Sequence, residues 1–165
     1  MVVDSTACFS CGAIVPDMNG PTHPYMESSP GCWHVYGEVL ARQFSDPAPR
    51  DVQRFTADTY AVQHPGRPSP VAIQSVCGHL MSLCVVLESQ APYSHADRVL
   101  KAAVDGKIPF WWLTPPRSRG TLTVVDVHGA ASTDEHRERV HAWAHSAWSA
   151  WADHHDTVRS WIACL

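Results

Sequence analysis

Two cysteines separated by two residues, Cys8 and Cys11, constrain the start of this chain more than any other feature. Both thiolates of such a knuckle can bind the same metal ion, and the nearest further soft ligands are Cys32 and two histidines. This spacing predicts a zinc site formed by Cys8, Cys11 and Cys32, with His23 as the fourth ligand and His34 as its alternative. His34 is the weaker choice, because side chains two residues apart on a helix point about 200° away from each other.

Three thiolates and one imidazole would make a closed, structural zinc site that fastens an irregular arm, residues 1–30, to the rest of the protein. Two other interpretations remain open. A site whose fourth position is open to water would be catalytic. A redox-active dithiol would need a helix directly after the knuckle, and Gly12 and Pro16 disfavour that helix.

Length and charge indicate a single soluble domain over residues 1–165. The chain has 165 residues, 45% of them hydrophobic, and a formal net charge of −4. A basic surface for nucleic acid is not expected, since the first Lys or Arg is Arg42. We also expect no membrane span and no signal peptide, and therefore a cytoplasmic protein in which the six cysteines are reduced.

Helical periodicity after residue 30 predicts an all-α fold, a compact bundle of about five helices on which the metal-knuckle arm packs. Ser-Pro pairs at 29–30 and 69–70 mark two helix starts, since proline is favoured in the first turn. We expect helices over about 30–45, 49–63, 70–87, 94–105 and 132–151, and a last helix, separate from or continuous with the fifth, that carries Val158, Trp161 and Ile162. Residues 121–127 are interpreted as a short extended stretch.

The remaining cysteines and the aromatic residues favour structural roles. Cys77 and Cys84 lie on the apolar stripe of the third predicted helix, where a free cysteine behaves as a small hydrophobic residue. The aromatic segment 110–113 is expected to pin a loop to the bundle, with a lid over a pocket as the alternative.

A second candidate site consists of Asp58, His64 and His79. The second and third predicted helices are joined by a tight turn, so they are expected to be antiparallel neighbours. Asp58 and His79 then lie at a similar depth from that turn, and their contact would form either a general-base pair or a buried structural hydrogen bond. His64, at the mouth of the turn, would contribute to catalysis or cap its own helix.

The C-terminal histidines His141 and His145 share one helical face at a spacing that can clamp a metal. Acidic neighbours on that face favour a solvated surface instead. A second metal site in which His79 joins these two histidines is a specific variant of the enzyme hypothesis.

Three strings give the chain a family resemblance: CFSCG at 8–12, SSPGCW at 28–33 and TYAVQHPG at 59–66. With GPTH at 20–23 and the tryptophan-rich terminal helices, they resemble a family of small uncharacterised bacterial proteins, mainly actinobacterial, known as a domain of unknown function. The resemblance covers most of the chain and implies no fold or activity.

Two classes of function follow. The first is a soluble zinc-binding helical protein with an interior Asp/His pocket for a small molecule, which as an enzyme would be a metal-dependent or general-base hydrolase or lyase. The second is a non-catalytic binding or adaptor protein with a purely structural zinc and a tryptophan-rich partner surface. Burial of the tryptophans favours the first class, and an exposed stripe of them favours the second. Oligomeric state is left open.

Overall fold

A computed structural model describes residues 4–47 and 52–165, which are mostly helical. The predicted helical class is confirmed, but the count of about five helices and the strictly all-α class are wrong. The described residues form seven α-helices and one small sheet. The elements are β1 Ser5–Ala7, β2 Ile14–Pro16, α1 Pro30–Ser45, α2 Gln53–Gln63, α3 Pro70–Leu83, α4 Tyr93–Asp105, α5 Val124–His128, α6 Thr133–Ala150 and α7 His155–Ala163.

The arm contains the sheet that the sequence did not predict. β1 and β2 pair antiparallel with Thr6 opposite Val15, and the cysteine knuckle is the turn between them. The Gly12 amide donates to the Cys8 carbonyl at 2.8 Å, and Gly12 has a φ of +78°, in the left-handed region where glycine is favoured. Strands of three residues are too short to show an alternating pattern in the sequence.

The helix α1 begins where its Ser-Pro pair predicts and packs its first turn against β2. A Cβ atom on Gly31 would lie 2.1 Å from the carbonyl oxygen of Pro16, so only glycine permits this approach. Cys32, the next residue, is completely buried. The start of α1 is therefore held close to the cysteine knuckle.

The helices α2 and α3 are the extensively packed neighbours that the short turn predicts. α2 is described from Gln53, and the predicted start at residue 49 lies outside the described residues. Ser69 caps α3 by accepting a hydrogen bond from the Ala72 amide at 3.1 Å, and a π-helical turn, Cys84–Glu88, continues the helix. The buried thiols of Cys77 and Cys84 have pKa values raised to about 12, burial being the main cause, as expected for core cysteines.

Within residues 4–47 and 52–165, one helical stretch is by length and composition apolar enough to span a membrane, which the sequence analysis did not expect. It is Pro70–Glu88, and 56% of its most apolar window is buried inside the protein. A buried core helix meets the same criteria of length and composition as a membrane span.

One further element differs from the predictions, and the last helix is separate from the one before it. Residues 124–128 form the helix α5, not an extended stretch, because Thr123 and Asp126 make a capping box at its start. A 3₁₀ turn, Ala152–His154, separates α6 from α7. Ser132 caps α6, since its hydroxyl accepts a hydrogen bond from the Glu135 amide at 3.2 Å.

Most tryptophans lie in the core. Trp143, Trp148, Trp151 and Trp161 are each 5% exposed or less. Trp111 is 51% exposed, but its ring packs edge-on against Trp161 with 4.9 Å between the centroids. The described tryptophans therefore form no exposed stripe.

Candidate functional site

Four metal-ligating side chains converge between the arm and the first two helices. The sulphur atoms of Cys8, Cys11 and Cys32 and a ring nitrogen of His64 all lie within 4.8 Å of one another. No other such group of three or more His, Cys, Asp or Glu residues is found among residues 4–47 and 52–165. This cluster could hold a metal ion.

Each ligand comes from a different feature of the fold. Cys8 and Cys11 lie in the turn between the strands, Cys32 in the first turn of α1, and His64 directly after the last residue of α2. Cys8, Cys32 and His64 are buried, and Cys11 is partly exposed. Four protein donors surround one point, so the arrangement is closed.

The distances match a tetrahedron of protein ligands. Cys11 Sγ lies 3.8 Å from Cys32 Sγ, and His64 Nε2 lies 3.4 Å from Cys32 Sγ and 3.8 Å from Cys8 Sγ. With Zn–S near 2.3 Å and Zn–N near 2.0 Å, the edges of a tetrahedron are about 3.8 Å between sulphurs and about 3.6 Å from sulphur to nitrogen. The donors are thus already at coordination spacing.

Tyr60 orients the imidazole of His64. The backbone carbonyl of Tyr60 lies 2.7 Å from His64 Nδ1, which therefore carries the proton and leaves the Nε2 lone pair directed at the cysteines. The Tyr60 ring stacks on the imidazole with 3.9 Å between centroids, and its hydroxyl lies 3.6 Å from Cys32 Sγ. Such outer contacts are typical of metal-bound histidines.

Gln63 fixes the end of α2 on which His64 depends. Its side-chain amide donates to the carbonyls of Arg119 and Leu122 at 2.8 and 2.9 Å, and its Oε1 accepts from Trp143 Nε1 at 2.8 Å. The Ser10 hydroxyl in the knuckle also donates to the Gln63 carbonyl at 2.9 Å. The end of α2 is held by the core on one side and by the arm on the other.

The three thiols do not ionise alike. Hydrogen bonds from the Cys11 and Cys32 thiols lower the pKa of Cys8 far below its usual value. Hydrogen bonds with Cys11 and Cys8, together with burial, raise the pKa of Cys32 far above it. The neighbouring thiols therefore favour the thiolate form of Cys8 over that of Cys32.

His23 and His34, the two predicted fourth ligands, do not belong to the cluster. His23 Nδ1 accepts hydrogen bonds from the backbone amides of Tyr25 and Met26 at 3.4 and 3.2 Å, so it stabilises its own loop. His34 is half exposed and pairs with Glu38 at 3.6 Å. The residue that takes the fourth position is His64, which the sequence analysis had assigned to catalysis or capping.

Asp58 and His79 are in direct contact, as their similar distance from the turn between α2 and α3 predicts. His79 Nδ1 lies 2.6 Å from Asp58 Oδ1. The Asp58 side chain is 3% exposed and that of His79 32% exposed, so the carboxylate is buried and the imidazole reaches the surface of a groove. His64 is not part of this pair.

The groove runs between α2, α3 and α4 with a volume of about 380 Å³. One side carries the Asp58–His79 pair with nearby polar side chains, and the other side is apolar. The lining residues include Arg54, Gln74, Ser75, Leu100, Val104 and Phe110. This site can place an apolar small molecule against a histidine.

A protein-family model matches most of the chain, including the residues of both candidate sites. The model of DUF5946, a family of unknown function, matches residues 6–152. The chain belongs to this family. The span that matches DUF5946 contains the four residues of the metal cluster and the Asp58–His79 pair, and it ends before α7. Neither the curated proteins nor the solved structures give a significant match to this DUF5946 member.

The second predicted metal site is not formed in this member of DUF5946. His79 pairs with Asp58, and the His141 ring packs edge-on against Phe55 with 4.5 Å between centroids. No cluster with His145 is found among the described residues. His79 therefore contacts Asp58, whereas His141 contacts Phe55.

Proposed function

We propose that the chain is a zinc-binding protein in which Cys8, Cys11, Cys32 and His64 hold one Zn²⁺ in a closed structural site. The observation that carries this proposal is the convergence of four ligand atoms within 4.8 Å of one another. Three thiolates and one imidazole in a tetrahedral arrangement are a donor set that zinc prefers. The bound ion would supply the folding energy that joins the arm to α1 and α2.

A structural role is favoured over a catalytic one because the four protein donors leave no position for water. Catalytic zinc sites keep three protein ligands and one open position. The contacts of Tyr60 with His64 and of Ser10 with Gln63 rigidify the site. We propose the cytoplasm as its location, since free thiols persist in reducing compartments.

Metal content tests the proposal. Protein purified without added metal is expected to contain one zinc per chain by elemental analysis. His64→Ala and Cys11→Ser should lose it, because three donors bind zinc far more weakly than four. His23→Ala and His34→Ala, which change the two histidines outside the cluster, should retain it.

Misfolding of His64→Ala would also remove metal, so a second variant is needed. His64→Cys keeps a soft ligand at the same position and is expected to retain zinc. Stoichiometric zinc in His64→Ala together with its loss in His23→Ala would refute the assignment of the fourth ligand.

A second candidate function is a general-base hydrolase or lyase acting on a small molecule at the Asp58–His79 pair. It is favoured by the 2.6 Å contact between a buried carboxylate and a partly exposed imidazole beside a groove. The alternative, an adaptor with a tryptophan-rich surface, loses its main support because four of the tryptophans are buried.

A further inference from the structure

We propose that the protein hydrolyses small carboxylic esters with apolar substituents in the groove beside Asp58 and His79, and that Ser75 is the nucleophile. The proposal rests on the second candidate function, the general-base role of His79. It adds a nucleophile and a substrate class to that role.

The Asp58–His79 contact fixes which imidazole nitrogen can act as a base. The buried carboxylate of Asp58 accepts a hydrogen bond, so His79 Nδ1 carries the proton and Nε2 keeps its lone pair. No described side chain hydrogen-bonds to Nε2, and His79 lines the groove. Asp58 is thus a positioning residue, and Nε2 is available to accept a proton from a group in the groove.

Ser75 is one helical turn before His79 and lines the same groove. Residues four apart lie on one face of a helix, so Ser75 and His79 are neighbours on the face of α3 that lines the groove. The two side chains make no hydrogen bond in the described structure. Catalytic hydrogen bonds are often long before substrate binds, and this one is expected to form in the substrate complex.

The rest of the groove determines the substrate class. Leu100, Ala103, Val104 and Phe110 form its apolar side, which suits an aliphatic or aromatic substituent. Gln74 and Arg54 line the polar side and carry N–H groups that can donate to the oxygen of a carbonyl under attack. A neutral ester with one apolar substituent satisfies both sides.

The reaction is a two-step acyl transfer. Ser75 Oγ attacks the carbonyl carbon while its proton moves to His79 Nε2, and the bond to the alkoxy oxygen breaks as that oxygen takes the proton and leaves as an alcohol. Water then attacks the carbonyl carbon of the acyl-serine while one of its protons moves to His79 Nε2. The bond from that carbon to Ser75 Oγ breaks as Oγ takes the proton from His79, and the carboxylic acid leaves. Water is the only co-reactant, and no electron transfer is involved.

The test uses the zinc-loaded full chain with p-nitrophenyl butyrate as substrate and a fluorophosphonate as covalent probe. Mass spectrometry of peptides should place the probe on Ser75. Ser75→Ala and His79→Ala should each lower kcat/KM by about a hundredfold or more. Asp58→Asn should lower kcat while KM stays within about twofold, since it acts through His79.

Two further variants keep the test decisive. Ser75→Cys retains a nucleophile and should still form an acyl-enzyme, and Ser149→Ala, which removes an exposed hydroxyl on α6, should match the unmodified protein. Hydrolysis that persists in Ser75→Ala but is lost in His79→Ala would refute Ser75 as the nucleophile and would support His79 as the general base. Absence of turnover and of labelling would overturn both, and the zinc content would still report separately on the metal site.

Discussion

Gly31 illustrates how one residue without a side chain fixes the approach of α1 to the arm. A Cβ atom there would lie 2.1 Å from the Pro16 carbonyl oxygen, a backbone atom that cannot move without shifting β2. Gly31→Ala is therefore expected to destabilise the protein by about 2 kcal/mol, a typical cost of overpacking. The shift would also displace Cys32, so zinc affinity should fall. Urea unfolding and zinc titration measure the two effects.

Gly37 is the matched control for Gly31, because both glycines lie in α1. Apart from its chain neighbours and the backbone of its own helix, no described atom lies within 4 Å of a Cβ added to Gly37. Gly37→Ala should stabilise the protein by roughly 0.5–1 kcal/mol, since alanine loses less conformational freedom in a helix interior. Equal effects of the two substitutions would contradict the steric explanation.

Individual site residues were predictable only where local spacing or helix geometry brought them together. Cys8 and Cys11 are grouped by their spacing, and the Asp58–His79 contact follows from counting residues along two antiparallel helices. His64 was missed as a member of the metal cluster because it is distant in sequence from the cysteines and only the tertiary fold places it beside them. The string QHPG at 63–66, a helix end that places a histidine directly before a proline, was the available signal.

Residues 4–27, which belong to the arm, are the part of the protein that depends most on the proposed metal. Its sheet has two strands of three residues, and a two-stranded hairpin is marginally stable alone. Removing zinc with a chelator is therefore expected to loosen the arm while α3, α6 and α7 keep their packing. Limited proteolysis should cut first within residues 4–27, and far-UV circular dichroism should change little.

Readdition of zinc provides the control for metal removal. It should restore protection of the arm, whereas Mg²⁺ should not, because magnesium prefers oxygen ligands. Loss of most helical signal on chelation would contradict the division between a metal-dependent arm and a helical body that is stable without it.

Whole elements were predicted well where the sequence carries caps and a long periodic pattern. α1 and α3 begin at the proline of each Ser-Pro pair, and α6 begins after the Ser132 cap. α5 was missed because five residues are too few to show helical periodicity, although Thr123 and Asp126 carry its capping box. Caps and periodicity therefore specify the long helices, whereas the short elements have too few residues to show a periodic pattern.

At the scale of the whole molecule, Glu88 links the π-helical turn after α3 to the C-terminal helices. Its carboxylate accepts hydrogen bonds from Arg159 at 2.8 and 2.9 Å and from Trp148 Nε1 at 3.2 Å. Arg159 lowers the pKa of Glu88 below its ordinary value of 4.5. The ion pair thus contributes stability that is present above pH 4.5 and is lost as the pH falls through the lowered pKa.

Glu88→Gln retains the shape and the hydrogen-bond acceptor but removes the charge, so its effect should depend on pH. At pH 7 it is expected to lower Tm by about 2 °C, a modest value because Arg159 is half exposed and the pair is screened by solvent. The difference from the unmodified protein should shrink towards zero at an acid pH below the lowered pKa of Glu88, where the carboxylate is protonated. Asp105→Asn, which breaks the exposed pair with Lys101, is the control and should change Tm by less than about 1 °C. If the loss of Glu88→Gln were equal at both pH values, packing and not charge would join α3 to α7.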